Sequence, residues 1–364
     1  MTHGRSTQTP VILVTGIDDA AMEAATVGLQ FDLPHAAVMR HTLDVPSQLL
    51  TRRVSDLTGL VESEQMDLDH ACVSCALRED IVPTLERLAA TGRWGAIIAH
   101  LPVSAEALQV CRVVAMDQRI APHVRISAVV HALDSSRANH DLLGDDLLAE
   151  RGVHTSEEDT RGLAEAHCAL VEYADVVVTV GDLDEPDADL VRALARPEAL
   201  LVPDGSTLDP TLLTGALHQH GRTERWVDVV RRGTLPALES EHVWRLDLRT
   251  TRPLHPGRLL DGIESLGGGP RRSRGCFWLP TRPGTICAWD GAGGQLSIGP
   301  ATPWGRATPL TRIVVTGVDD ERAALVEAFH HALLSEAEAT ERGLYWEVAH
   351  DGLEPWLGRI TRAA

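Results

Sequence analysis

The sequence contains no lysine. Its 33 basic side chains are all arginine, set against 52 aspartates and glutamates, for a formal charge of −19 with histidine neutral. Asparagine occurs once, at Asn139. These absences exclude several chemistries. A G-x-x-x-x-G-K-[ST] phosphate loop cannot be completed, no side-chain Schiff base can form, and an Asn-Lys-x-Asp guanine reader cannot be spelled. Coding bias toward arginine, alanine and glycine accounts for the trend, yet a functional lysine is normally kept against such bias. Aromatic residues are also scarce, at 4%, and most are tryptophan. Trp226, Trp244, Trp278, Trp289, Trp304, Trp346 and Trp356 crowd the last part of the chain, with only Trp94 before them. The two parts of the chain are therefore expected to have differently built cores.

No apolar run approaches the roughly eighteen residues of a membrane span, and the N-terminus lacks the apolar core of a signal peptide. A cytoplasmic protein is expected, away from membranes. There the six cysteines read as thiols or metal ligands rather than disulfides. The acidic balance argues against broad contact with nucleic-acid phosphates and fits a basic protein partner better.

Over residues 1–220, short apolar runs alternate with amphipathic stretches. Strands are expected at 10–15, 36–41, 95–101, 124–131, 175–180 and 199–203, and helices at 76–90 and 155–174. Continuous apolar strands separated by helices predict an α/β domain with a doubly wound, mostly parallel sheet. Residues 221–241 read as a linker. The pattern then changes to clustered strands (242–249, 271–280, 285–289, 295–298, 311–316) and two helices (256–266, 319–334), predicting a small α+β domain over 242–338. Residues 339–364 form a C-terminal tail.

Three stretches could carry chemistry. The first strand ends at Gly16, where a phosphate loop would sit. The second glycine position holds Ala21, the lysine position Met22 and the Ser/Thr position Glu23, while Asp18 and Asp19 add negative charge. An ordinary strand-to-helix turn explains this better than an anion site. In 67–80, Cys72 and Cys75 are spaced so that one turn offers two thiolates to a metal, and His70 lies just upstream. Zinc prefers four sulfur or nitrogen ligands, so this is half a site; a redox pair or two buried thiols remain open. At 174–183, a buried strand ends near Asp182, which alone reads as a turn or helix cap. His218-x-His220, His330-His331 and the arginines at 271, 272 and 274 are weaker signals.

These pieces, in this order, resemble the CobW-type GTPases, a family linked to cobalamin cofactor insertion and zinc homeostasis. Cys72-Val73-Ser74-Cys75-Ala76-Leu77-Arg78-Glu79-Asp80 resembles the family's Cys-x-Cys-Cys-[ST]-[LI]-Arg-x-Asp element, with Ser74 at the middle cysteine. Ala174 to Asp182 resembles its last G-domain strand and guanine reader, with Thr179 and Val180 at the Asn and Lys. His255-Pro256-Gly257-Arg258-Leu259 resembles its H-P-x-R-L helix start. Arg272 to Leu279 resembles its R-x-K-G-x-x-W-L strand, and Trp289, Gly294 and Trp304 follow in register.

The resemblance implies a P-loop G-domain-like fold followed by a CobW C-terminal domain. It implies zinc on Cys72 and Cys75, with His70 as a further ligand. Gly16 and Asp182 would be remnants of a GTP and magnesium site, and no catalytic residue is assigned. A divergent branch of the family, acting in zinc starvation, shares the degenerate phosphate loop and the Cys-Val-Ser-Cys element; Val171-Glu172-Tyr173-Ala174-Asp175 fits it as well. That branch implies a zinc-responsive recruitment scaffold whose partner is a ribosome hibernation factor and, through it, the ribosome. The alternative is a GTP-dependent zinc metallochaperone with residual GTPase activity. A metal-free structural partner in an oligomer is a third reading.

Overall fold

The computed structural model describes residues 8–68, 73–204 and 206–360. The chain separates into two compact units, Met1–Ala138 with Leu147–Trp226, and Asn139–Asp146 with Val227–Ala364. The helix His220–Val227 therefore begins what the sequence suggests is a linker, and nearly all of it belongs to the first unit.

The first unit is built on eight strands: β1 Thr9–Thr15, β2 Ala36–Asp44, β3 Leu49–Asp56, β4 Gly59–Asp67, β5 Ala96–His100, β6 Val124–Asp134, β7 Val176–Val180 and β8 Leu200–Val202. Their order is β4-β3-β2-β5-β1-β6-β7-β8. All pairings from β2 to β8 are parallel, as expected from the apolar runs; β3 and β4 add an antiparallel hairpin at one edge. Val11 to Val14 of β1 are fully buried, because helices cover both faces of the sheet. Helix Asp19–Asp32 lays Ala21, Met22, Ala25 and Leu29 on one face, against Ile12, Val14, Ile98 and Val130. The chain leaves β1 to one side and β6 to the other. The crevice at their carboxyl ends is thus the topological switch point, where such sheets hold ligands.

Three elements differ from the sequence reading. No strand is expected over 49–67, yet the hairpin is there; β4 (GLVESEQMD) is polar and exposed on both faces, so it lacks an apolar alternation. The helix expected at 155–174 starts only at Leu163. Residues before it wrap Asp159, whose carboxylate accepts from Thr155 N (3.0 Å) and Arg161 Nε (2.8 Å). The helix expected at 76–90 is continuous but opens with a wider π-helical turn over Leu77–Ile81.

The second unit carries an antiparallel sheet of β9 Trp244–Thr250, β10 Arg271–Phe277, β11 Thr285–Ala292, β12 Gln295–Pro303 and β13 Thr311–Gly317, ordered β12-β11-β10-β13-β9. Helices Pro256–Gly267 and Arg322–Ala332 supply Leu259, Leu266, Leu325 and Phe329 to its core. That core is tryptophan-rich: Trp289 lies edge-on to Phe277, with centroids 6.1 Å apart, and donates to Ser273 Oγ at 2.9 Å. The tail packs on this unit through Leu353, Leu357 and a buried Arg282–Asp351 ion pair (2.9 Å). The strip Asn139–Asp146 also belongs here; Gly293 meets the backbone of Gly144 so closely that a Cβ could not fit. No helix of the described residues is long and apolar enough to cross a membrane.

Candidate functional site

The crevice at the end of β1 is lined by charge of the wrong sign for phosphate. Asp18 caps the following helix, accepting from Ala21 N at 2.7 Å, and so occupies an amide that a phosphate would use. Met22, at the lysine position, turns inward and is fully buried. It fills the space beside Gly16, where an added Cβ would lie 2.6 Å from Met22 Cγ. Asp19 and Glu23 point outward and share Arg40 of β2, whose Nη2 donates to both oxygens of Asp19 (2.9 and 2.8 Å) and whose Nη1 donates to Glu23. Arg40 is thereby committed to carboxylates. His100 closes β5 beside them, with Nδ1 2.9 Å from Thr26 Oγ1 and Nε2 3.7 Å from Asp19. Burial, helped by Arg40, pushes His100 down to about 4, so it is a neutral imidazole.

Behind this turn lies a buried histidine pair. His131 Nε2 and His167 Nε2 are 3.0 Å apart, and Thr15 Oγ1 is 3.4 Å from His131 Nδ1. Burial, with the neighbouring His167, drives His131 well below its ordinary value. Neither histidine stands out in sequence, because β6 brings His131 next to β1 from over a hundred residues away. Gly16 and Asp182 follow β1 and β7, two strands separated by β6. Asp182 is exposed on the loop after β7. Thr179, at the asparagine position, is buried and accepts from Asp204 N at 3.1 Å.

Of the expected zinc ligands, His70 and Cys72 lie outside the described residues. Cys75 is buried on the turn Val73–Ala76, with its sulfur 3.9 Å from Arg78 Nη2. Among the described residues, no group of three His, Cys, Asp or Glu could hold a metal. The turn is anchored by the π-helical segment behind it. There Asp80 binds His41 Nε2 through one oxygen (2.6 Å) and Arg52 through the other. Thr84 reaches both Asp80 (3.3 Å) and Arg52 (2.9 Å), and all four side chains are buried. Burial dominates His41 and lowers it; at Asp80 burial is outweighed by His41 and Arg52, and the carboxyl is lowered. His41 is therefore a neutral imidazole bound to a carboxylate, with its Nδ1 buried and unmatched. The lock braces the helical segment behind the cysteine turn, and His41, buried and bound to Asp80, is part of that bracing. The sequence reading missed His41 and Arg52; Asp80 alone was visible, in the cysteine element.

The C-terminal motifs hold the fold. His255 caps helix 256–267 by accepting from Arg258 N (3.3 Å), with Pro256 at its first position. Arg258 pairs with Glu338 (2.7 and 2.8 Å). Arg272 pairs with Asp290, and Trp278 donates to Thr251 O at 3.2 Å. Gly275 is required by space, since a Cβ there would land on the carbonyl oxygen of Arg312 in β13.

The fold and site define a class: a doubly wound α/β unit with a cysteine turn, followed by an antiparallel α+β unit. Residues 243–333 match the cobalamin synthesis protein cobW C-terminal domain. The chain is 27% identical over 331 residues to a Mycobacterium tuberculosis protein named zinc chaperone Rv0106, covering 86% of this chain and 78% of that one. It is 21% identical over 280 residues to a Dictyostelium discoideum protein named zinc-regulated GTPase metalloprotein activator 1, covering 70% and 59%. Among solved structures, the Zn(II)-bound YjiA GTPase from E. coli matches at 13% identity and a TM-score of 0.36, covering 90% of this chain and 99% of that one. The likeness to the cobW C-terminal domain is carried by residues 243–333, and the likeness to the mycobacterial protein extends along most of the chain.

Proposed function

We propose that this protein is a zinc chaperone of the CobW type, with zinc as its cargo. Cys72 and Cys75 are its thiolate ligands, and His70, two residues before Cys72 in the sequence, is a further candidate. The observation that carries this reading is the seating of the Cys75 turn on the buried Asp80–His41–Arg52 lock. Likeness along most of the chain to a protein named zinc chaperone supports it. Recruitment of a ribosome hibernation factor has no comparable support, and zinc delivery replaces it as the main reading. The acidic balance fits delivery to a basic protein partner.

On this reading GTP does not drive delivery. Met22, the Asp18 cap and the Arg40-bound carboxylates leave no cradle for a triphosphate, and phosphoryl transfer depends on cradle, magnesium and positioned water together. The name of the Dictyostelium relative favours a second reading, in which zinc release is coupled to GTP.

Dialysed protein should retain zinc, and Cys72→Ser with Cys75→Ser should remove it; unchanged zinc content by elemental analysis refutes the metal assignment. A fluorescent GTP analogue with magnesium should show no saturable binding at micromolar concentration. Saturable binding with hydrolysis would install the GTP-coupled reading.

A further inference from the structure

Helix Asp19–Asp32 buries one face against the sheet, and its opposite face is apolar as well. Ala20, Ala24, Val27, Gly28 and Phe31 are all exposed there, Val27 at 51% and Phe31 at 74%. A helix lying on a sheet ordinarily turns charge to the outside. Here polar side chains stand only at the margins of the outer face, where Arg40 holds Asp19 and Glu23, and where Gln30 is half-buried. Ala20, Ala24, Val27 and Phe31 recur at intervals of four, three and four. That is the seam of a coiled coil, and differs from the single apolar residues scattered over any surface.

Gly28 is a second, independent observation. It sits inside the helix, where glycine is less favourable than alanine because its backbone gives up more freedom. Its own chain supplies no reason for it, since a Cβ built there meets nothing within 4 Å. A glycine of that kind beside an apolar seam lets another backbone come close.

We propose that this face is a self-association surface, on which a second copy of this chain lays the same helix antiparallel about a two-fold axis. The occupant follows from the order of side-chain sizes along the seam. With the axis level with Ala25 and Thr26, Phe31 lies across from Ala20 of the second copy and Val27 across from Ala24, so large meets small at every level. A parallel pairing would set Phe31 against Phe31 and Ala20 against Ala20, crowded at one end and empty at the other. At the edges of the antiparallel seam, Glu23 falls opposite Gln30 of the second copy, carboxylate to amide donor. Gly28 falls opposite Ala21, which leaves room for the two backbones to close. Each helix dipole also meets its reverse. Phe31 offers more than about 100 Å² of apolar surface from each copy, and the whole seam belongs to the small end of specific interfaces. The dimer is therefore weak and concentration-dependent. Each copy carries a charge of −19, so salt that screens their repulsion strengthens it, whereas a contact held by ion pairs would weaken.

The full-length protein is followed by sedimentation velocity from micromolar to submillimolar concentration, at low and high salt. The sedimentation coefficient should climb toward that of a dimer, and at lower concentration when salt is high. Phe31→Glu should weaken association by at least about tenfold. Gly28→Gln separates folding from association. Its side chain has open space in the single chain, so the Tm should hold or rise, while association should fall by a similar factor. Leu60→Glu, at another exposed apolar position, should leave association unchanged. A chain that stays monomeric throughout, or a dimer that Phe31→Glu and Gly28→Gln leave intact, would overturn the proposal. A dimer lost in Leu60→Glu would move the contact to the β3–β4 hairpin and overturn it as well.

Discussion

At the residue scale, Asp80 does more than its place in a sequence element suggests. It neutralises buried Arg52, fixes the ring of His41 and ties the helical segment behind Cys75 to two strands. Asp80→Asn would leave the Arg52 guanidinium buried with its strongest buried partner gone. We expect a loss of about 3–5 kcal/mol, read from urea unfolding of the first unit. Arg93→Ala breaks an ion pair with Asp56 whose arginine is half exposed, and should cost under about 1 kcal/mol. Similar losses for both would mean that the Asp80 lock does not exist. The cysteine spacing was legible because it is local. The lock was not, because His41 and Arg52 arrive from positions 39 and 28 residues away. One of them sits on a hairpin with little apolar patterning.

At the scale of elements, the parallel strands were legible from their apolar runs, since strands buried on both faces must be apolar throughout. The β3–β4 hairpin was not, because β3 buries only Leu50 and Val54 around Arg52, and β4 is held by its ladder and by Arg52 and Arg87 ion pairs without an apolar face of its own. The glycine of the R-x-K-G-x-x-W-L strand resembled a family mark, and the sheet shows its physical origin. Gly275→Ala should part β10 from β13 and destabilise the second unit by about 3 kcal/mol, seen as a lower Tm in tryptophan fluorescence. A Tm within a degree or so of the unsubstituted protein would show that the two strands can shift apart freely. Met22→Lys tests the turn after β1. Placing an ammonium in a fully buried site should lower the urea midpoint without creating nucleotide binding.

At the scale of the whole molecule, buried histidines set the pH range of stability. His41, His100 and His131 are lowered in the folded state, His100 to about 4 from an ordinary 6.5. The unfolded chain takes up their protons first, so their contribution is present above 6.5 and lost as pH falls toward about 4. His218 works in the opposite direction: burial lowers it, but its hydrogen bond to buried Asp175 (2.9 Å) outweighs that. Raised to about 9, it contributes fully below 6.5, and that contribution disappears as pH rises through about 9. The urea midpoint of the first unit should therefore peak near pH 6.5 and fall on both sides, with His218→Gln flattening the alkaline limb. A midpoint that holds level up to pH 10 would remove His218 from this role.

The strip Asn139–Asp146 gives the chain a history as well as a shape. Synthesis proceeds from the N-terminus, so these eight residues emerge well before Val227, where the rest of their unit begins. During translation the strip must wait, held within a chain whose other segments are already assembling the first sheet. Only when β11 and β12 and the turn at Gly293 have been made can it find its place. A polypeptide starting at Val227 never receives the strip, and the backbone around Gly293 would then face water. The second unit thus depends on a segment from the first half of the chain for its completion.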